Sequence, residues 1–165
     1  MIDIHNHILP GFDDGPASIE ESLDMLRLAE KDGIRTVIST PHSAFLVGKR
    51  YGKSQIETAA AALQQESQRL DIQVQVLAGI EVHLTEDIER NLAEGNAFTL
   101  VGSRYLLLEL SFYSYPFSVE QLVAALRRRG LSPILAHPER LEYFQREPNL
   151  LRKLIQLGAL VQLTA

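Results

Sequence analysis

The sequence of 165 residues contains no cysteine. That excludes a disulfide framework and any thiolate nucleophile or ligand, fits a cytoplasmic enzyme, and leaves histidine and carboxylate as the side chains able to hold a metal. A basic surplus is also missing: 16 Lys plus Arg face 21 Asp plus Glu, for a net charge of −5. The electrostatic footprint of a nucleic-acid or anionic-membrane binder is therefore absent, and neither partner is expected. No stretch approaches the roughly 20 apolar residues of a membrane span, and Met1 leads directly into a strand-like pattern, so neither membrane insertion nor a signal peptide is expected. Repeats, low-complexity tracts and linkers are lacking too. What remains is ordinary globular composition, 45% apolar and 22% charged, enough for one core and too little for two.

A short β-type run, a connection, a helical run and a glycine recur along the chain, which is the rhythm of βα units. Strands are expected at 1–5, 35–40, 73–78, 105–110, 133–136 and 160–163, mostly apolar as parallel strands buried on both faces should be. Ser18 with Glu21, Ser54 with Glu57 and Ser118 with Gln121 each form a capping-box pair ahead of an apolar stripe. Gly33, Gly130 and Gly158 mark helix stops, the last after a helix lined by Leu150, Leu151, Leu154 and Ile155; a shorter helix is expected from Thr85. Successive right-handed βα units give an open doubly wound sheet or a closed barrel. An eight-stranded barrel takes about 250 residues, so the chain reads as a barrel cut short inside or just after its sixth strand.

In both architectures reactive groups gather at the carboxyl ends of strands. The first strand runs Asp3-Ile4-His5-Asn6-His7, and strand alternation puts residues 3, 5 and 7 on one face. His5 and His7 thus converge, with Asp3 cast as an acceptor orienting an imidazole. Asp13-Asp14-Gly15 follows in the next loop, where these residue types also suit a plain turn. The second strand runs into Thr40-Pro41-His42, the third into Gly79-Ile80-Glu81, the fourth ends at Leu108-Glu109-Leu110 and the fifth at Ala136-His137-Pro138-Glu139-Arg140. Each residue alone has a structural reading, as a satisfied histidine or an outward carboxylate. Their coincidence favours a shared rim, because four of the five histidines fall at strand ends. The fifth, His83, is expected at the surface, since it aligns with Glu81 only if that strand continues.

Imidazoles and carboxylates without thiolate suit Mn, Zn or Fe, and several ligands imply more than one ion. Closely spaced ions favour hydrolysis of phosphate esters through metal-activated hydroxide. Arg140 is placed either for a bidentate grip on phosphate or for a surface ion pair with Glu139 or Glu142. Residues 48–54 mimic a phosphate-binding loop but put three residues between the glycines, where the motif needs four, so no nucleotide site is expected. Lys49, Arg50 and Lys53, with Phe45 and Tyr51, form either a solvated loop or a flap that meets an anionic, aromatic substrate.

These motifs resemble those of the polymerase-and-histidinol-phosphatase (PHP) metallophosphoesterases, in particular the bacterial protein-tyrosine phosphatase branch linked to capsule and exopolysaccharide synthesis. The resemblance rests on residues 3–10, Asp13-Asp14-Gly15-Pro16, Thr40-Pro41-His42, Gly79-Ile80-Glu81-Val82 and His137-Pro138-Glu139-Arg140, in that branch's order and approximate spacing. It implies a distorted, TIM-like (β/α)7 barrel with a trinuclear, usually manganese-dependent metal site. By that resemblance His5, His7 and Glu81 hold one ion, Glu81, Glu109 and His137 a second, and Asp14 with His42 a third. Arg140 sits beside the substrate phosphate, and with His42 and Asp14 makes the catalytic set.

The family pattern closes with a late Asp-x-His motif and a seventh strand, and neither follows His137 here. The chain is accordingly expected to be a single phosphatase domain, C-terminally incomplete, with weak hold on its third ion and weak activity. The function implied is hydrolysis of phosphotyrosine on a protein, the tyrosine autokinase of polysaccharide synthesis. Two alternatives stand beside it: a small-molecule phosphoesterase such as a histidinol-phosphate phosphatase, and a catalytically inactive metal-binding regulatory module. Oligomeric state is left open.

Overall fold

The computed structural model describes residues 1–43 and 51–164. Within them the chain forms seven strands and six α-helices: β1 (Ile2–Asn6), α1 (Ile19–Lys31), β2 (Thr36–Ser39), α2 (Lys53–Arg69), β3 (Gln75–Ala78), β4 (Glu81–His83), α3 (Ile88–Glu94), β5 (Tyr105–Glu109), α4 (Val119–Arg128), β6 (Ser132–Ala136), α5 (Glu142–Arg146), α6 (Pro148–Gln156) and β7 (Leu160–Gln162). Single 3-10 turns at Leu100–Gly102 and Pro138–Arg140 complete the order. All ladders are parallel, β1-β2-β3 in one sheet and β4-β5-β6-β7 in the other.

The sequence rhythm anticipates six strands, and the seventh arises at a bend. Residues 75–83 begin as β3 against β2, turn at Gly79 and Ile80, and continue as β4 against β5. A Cβ on Gly79 would lie 2.8 Å from Leu100 and 2.9 Å from Ile38, so the bend brings backbone where a side chain would fit only if its neighbours gave way. The extension of β2 follows round the bend: Gly79 N–H donates to the Ser39 carbonyl, Glu81 N–H to Pro41, and Ser43 N–H to Glu81, with His42 and Glu81 forming a lone bridge.

Alternation along the strands sorts two cores. Leu106 and Leu108 of β5, Leu135 of β6 and Val37 of β2 face the helices. Leu107, Ile134, Ala136 and Ile38 face the other way and meet in a second, smaller core shared by both sheets. Glu109 falls on the same side of β5 as Leu107, which carries its carboxylate to the end of that inner core. Helix α1 is capped as anticipated, Glu21 N–H donating to Ser18 Oγ. The other two boxes are not: α2 starts from Gly52, whose N–H donates to Gln55 Oε1, and Ser118 makes no cap bond to α4. Helix α3 begins three residues after Thr85, with Ile88 N–H reaching back to the Thr85 carbonyl. Among the described residues no helix is long and apolar enough to cross a membrane.

Candidate functional site

The strand ends and their loops bring His5, His7, Asp14, His42, Glu81, Glu109, His137 and Arg140 to one cavity of about 780 Å³. At its floor lies Glu81, which is fully buried. Its Oε1 is 3.0 Å from His137 Nε2 and 3.2 Å from His5 Nε2. Its Oε2 is 3.1 Å from His42 Nδ1 and 3.5 Å from His7 Nε2. Glu109 stands beside it, 3.7 Å from His42 Nδ1 and 3.9 Å from His137 Nε2.

Three groups of ligand atoms each fall within 4.8 Å of one another: His5, His7 and Glu81; His42, Glu81 and Glu109; and His7, Asp14 and His42. The first is the set implied by resemblance. In the second His42 stands where His137 was anticipated, His137 Nε2 being hydrogen bonded to Glu81, and in the third His7 joins Asp14 and His42. The donors fit a divalent cation on a further ground. Glu81 Oε2 and His42 Nδ1 are buried, close together, and lack hydrogen-bond partners, as does His137 Nδ1. Buried polar atoms left in that state are costly, and a cation between facing lone pairs removes the cost.

The electrostatics follow from one buried carboxylate among imidazoles. Burial alone would raise the Glu81 pKa, yet the imidazoles of His137, His42, His5 and His7 around it hold it far below the usual carboxylate range. Burial likewise opposes charge on His7, but Asp13 and Glu81 push its pKa up to about 10. His5 and His42 are raised by the same contest, Glu81 outweighing desolvation.

The residues that hold the ligands differ in part from those the sequence suggests. Asp3 does not orient an imidazole: its Oδ1 accepts the His5 backbone N–H at 3.0 Å, where the ladder from β1 to β2 slips. His5 is oriented instead by Gln162 of β7, whose Oε1 is 2.7 Å from His5 Nδ1. Asp13, passed over for Asp14, is fully buried at its side chain, 2.7 Å from His7 Nδ1, and accepts the His42 backbone N–H at 2.8 Å. A doubled Asp before Gly was the available signal, one member for the interior and one for the rim. His83 is not a free surface residue: β4 does continue through it, leaving its Nδ1 3.4 Å from Glu109 Oε2. Arg140 is exposed and makes no ion pair among the described residues, Glu142 being taken by Arg146.

Phe45, Lys49 and Arg50 lie outside the described residues. The two flap residues that are described do not behave as a flap. Tyr51 is buried, packs edge-on against Phe12 and donates its hydroxyl to the His42 carbonyl at 2.6 Å, while Lys53 starts α2 and pairs with Glu57.

Parallel sheets whose strand ends gather imidazoles and carboxylates define an α/β protein with a centre suited to divalent cations. The chain belongs to the capsular polysaccharide synthesis CpsB/CapC family, whose sequence profile matches residues 1–165. It is 38% identical over its whole length to the tyrosine-protein phosphatase YwqE of Bacillus subtilis, spanning 65% of that protein. It is 29% identical to the tyrosine-protein phosphatase CpsB of Streptococcus pneumoniae, spanning 68% of it. A solved chain from the crystal structures of YwqE and CpsB, described as metal-dependent tyrosine phosphatases, superposes with a TM-score of 0.95 at 37% identity, covering 99% of this chain and 66% of that one.

Proposed function

We propose that the chain hydrolyses phosphotyrosine on a protein in a metal-dependent reaction, with the tyrosine autokinase of polysaccharide synthesis as its substrate, in the cytoplasm. The observation that carries the reading is Glu81, buried and flanked by four imidazole nitrogens within 3.5 Å. Manganese is the cation the resemblance favours, and zinc or iron fit the same donors. His5, His7 and Glu81 would hold one ion, Glu81 and Glu109 with His42 or His137 a second, and Asp14 with His42 a third. Bound there, such ions supply an activated water at neutral pH and offset the charge of a phosphoryl group.

The side chains do the rest. Asp13 and Gln162 fix the ring planes of His7 and His5 by hydrogen bonds to their outer nitrogens. Arg140, unpaired at the lip, meets phosphoryl oxygens with its planar fork. The departing tyrosine oxygen has an ordinary pKa of about 10, so it asks for a single proton, which the second carboxylate oxygen of Asp14 can hold at the mouth of the cavity. The bend at Gly79, the inner core shared by both sheets and the parallel order support a distorted, TIM-like PHP barrel as the frame.

Elemental analysis of the purified chain, joined to assays on phosphotyrosine peptides and on histidinol phosphate with added Mn, Zn or Fe, tests the reading. Metal-dependent turnover of the peptides above histidinol phosphate is expected. The reverse preference makes the chain a small-molecule phosphoesterase, and bound metal without any turnover makes it a regulatory module.

A further inference from the structure

The loop joining β5 to α4 carries four aromatic residues that the site description leaves without a role: Phe112, Tyr113, Tyr115 and Phe117. Tyr113 and Phe117 are almost wholly exposed, at 99% and 96%, and neither lines the cavity that holds Glu81. Phe112 is different. Its ring stacks on His137, with centroids 5.5 Å apart and planes 25° from parallel. It lines the cavity that holds Glu81 and Arg140, where it is the one phenyl or phenol among the described lining residues. It also lines an adjoining cavity of about 240 Å³, so the ring stands as a wall between two hollows, 46% exposed.

This wall is held in place. Tyr143 of α5 donates its hydroxyl to the Ser111 carbonyl at 2.9 Å, one residue before Phe112. Tyr113 N–H donates to Ser111 Oγ at 3.3 Å, closing a tight turn around the phenylalanine. Tyr115 sets its ring edge against Tyr143 and Phe144, with centroids at 5.6 Å and 6.0 Å. The segment that grips the loop is the one that follows Arg140 in the chain, so the aromatic wall and the guanidinium are fixed to a common support. A large apolar ring left half open beside histidines and carboxylates gains from any apolar group that covers it, and aromatic rings prefer offset or edge contacts at centroid separations of about 4.5–7 Å.

We propose that Phe112 is the specificity-determining residue of the site, taking the aryl ring of a phosphate monoester against its face while Arg140 meets the phosphoryl oxygens. The inference rests on the phosphatase reading and deepens it, since an aryl ester such as phosphotyrosine reaches this wall and an alkyl ester does not.

Two non-hydrolysable probes test it by calorimetry on the metal-loaded chain: phenylphosphonate, which carries the ring, and methylphosphonate, which does not. The chain should bind phenylphosphonate more tightly, and Phe112→Ala should weaken that binding about 3- to 10-fold while changing methylphosphonate affinity less than about twofold. Phe112→Leu, which keeps apolar bulk without a ring, should lose most of the preference, and Phe112→Tyr should restore it. Metal content of each variant is measured alongside. Equal weakening of both probes, or loss of metal in Phe112→Ala, overturns the proposal, because the ring then acts through His137. Equal affinity of the unaltered chain for both probes also overturns it and leaves the phosphate site standing. Binding of neither probe brings down the phosphatase reading, and this inference with it.

Discussion

Each oxygen of Glu81 faces two imidazoles, so one buried side chain serves two of the three ligand groups. Glu81→Gln keeps the shape and removes the charge; bound metal should fall below half of the unaltered level by elemental analysis, and hydrolysis with it. Asp13 acts one step removed. Asp13→Ala frees the His7 ring and the His42 amide together, and should weaken metal affinity about 10- to 100-fold, as loss of an outer hydrogen-bond partner does. The raised histidines set the response to pH. His7 has a folded pKa of about 10 against an ordinary 6.5, so its contribution to the metal-free fold is complete below 6.5 and is lost as pH rises through 10. The lowered pKa of Glu81 contributes stability above its ordinary 4.5 that is lost as pH falls. Cation binding must displace the imidazole protons, so its affinity climbs with pH. The gap in Tm between metal-loaded and metal-free chain should therefore be wider at about pH 8 than at about pH 6, read by scanning calorimetry with and without chelator. Histidines and acids at strand ends were legible because strand alternation and the carboxyl-edge rule act locally. Asp13, Gln162 and Phe112 were not, because their partners are fixed by how loops return and by a strand 157 residues away from His5 in the case of Gln162.

Among the elements, the bend between β3 and β4 and the loop after β1 do the positioning, and both turn on glycine. A Cβ on Gly15 would stand 2.0 Å from the His7 carbonyl oxygen, a backbone atom with nowhere to go. On Gly79 it would meet side-chain methyls of Leu100 and Ile38 at 2.8 Å and 2.9 Å, which can shift. Gly15→Ala should thus be the worse of the pair, costing at least about 2 kcal/mol in urea unfolding, and it should loosen Asp13, whose Oδ1 accepts the Gly15 N–H. His137 sits at φ 35°, in the left-handed region that non-glycine residues rarely occupy. That strain falls on a residue stacked against Phe112 and bonded to Glu81, in keeping with strained backbone gathering at functional sites. The βα rhythm was readable from apolar runs and glycine stops. The three-residue β4 was not, since a strand that short has no period to detect, and two capping boxes failed for different reasons: α2 starts from Gly52, ahead of Ser54, and Ser118, though it stands at the N-cap of α4, lacks the extended backbone that turns a cap side chain back to the helix.

For the molecule as a whole, the two sheets are joined by the continuous chain at Gly79 and Ile80, by a bridge between His42 and Glu81, by the small inner core around Ile38, Leu107 and Ile134, and by the larger core, which takes Val37 and Val76 from one sheet and Leu106 and Leu135 from the other. Leu107 is fully buried there. Leu107→Ala should cost about 2–5 kcal/mol and should lower hydrogen-exchange protection in β2 as well as in β5. The parallel α/β class was legible from composition and rhythm, whereas the division into two sheets depends on one bend that no propensity announces. That seam has a mechanical side. His5, His7, Asp14 and His42 come from the amino-terminal sheet and its loops, Glu81, Glu109 and His137 from the other. Cations gripped between them would clamp the rim across the seam that the two cores close from below, so a chelator would do more than silence chemistry: it would let the mouth of the cavity slacken while the body of the fold holds.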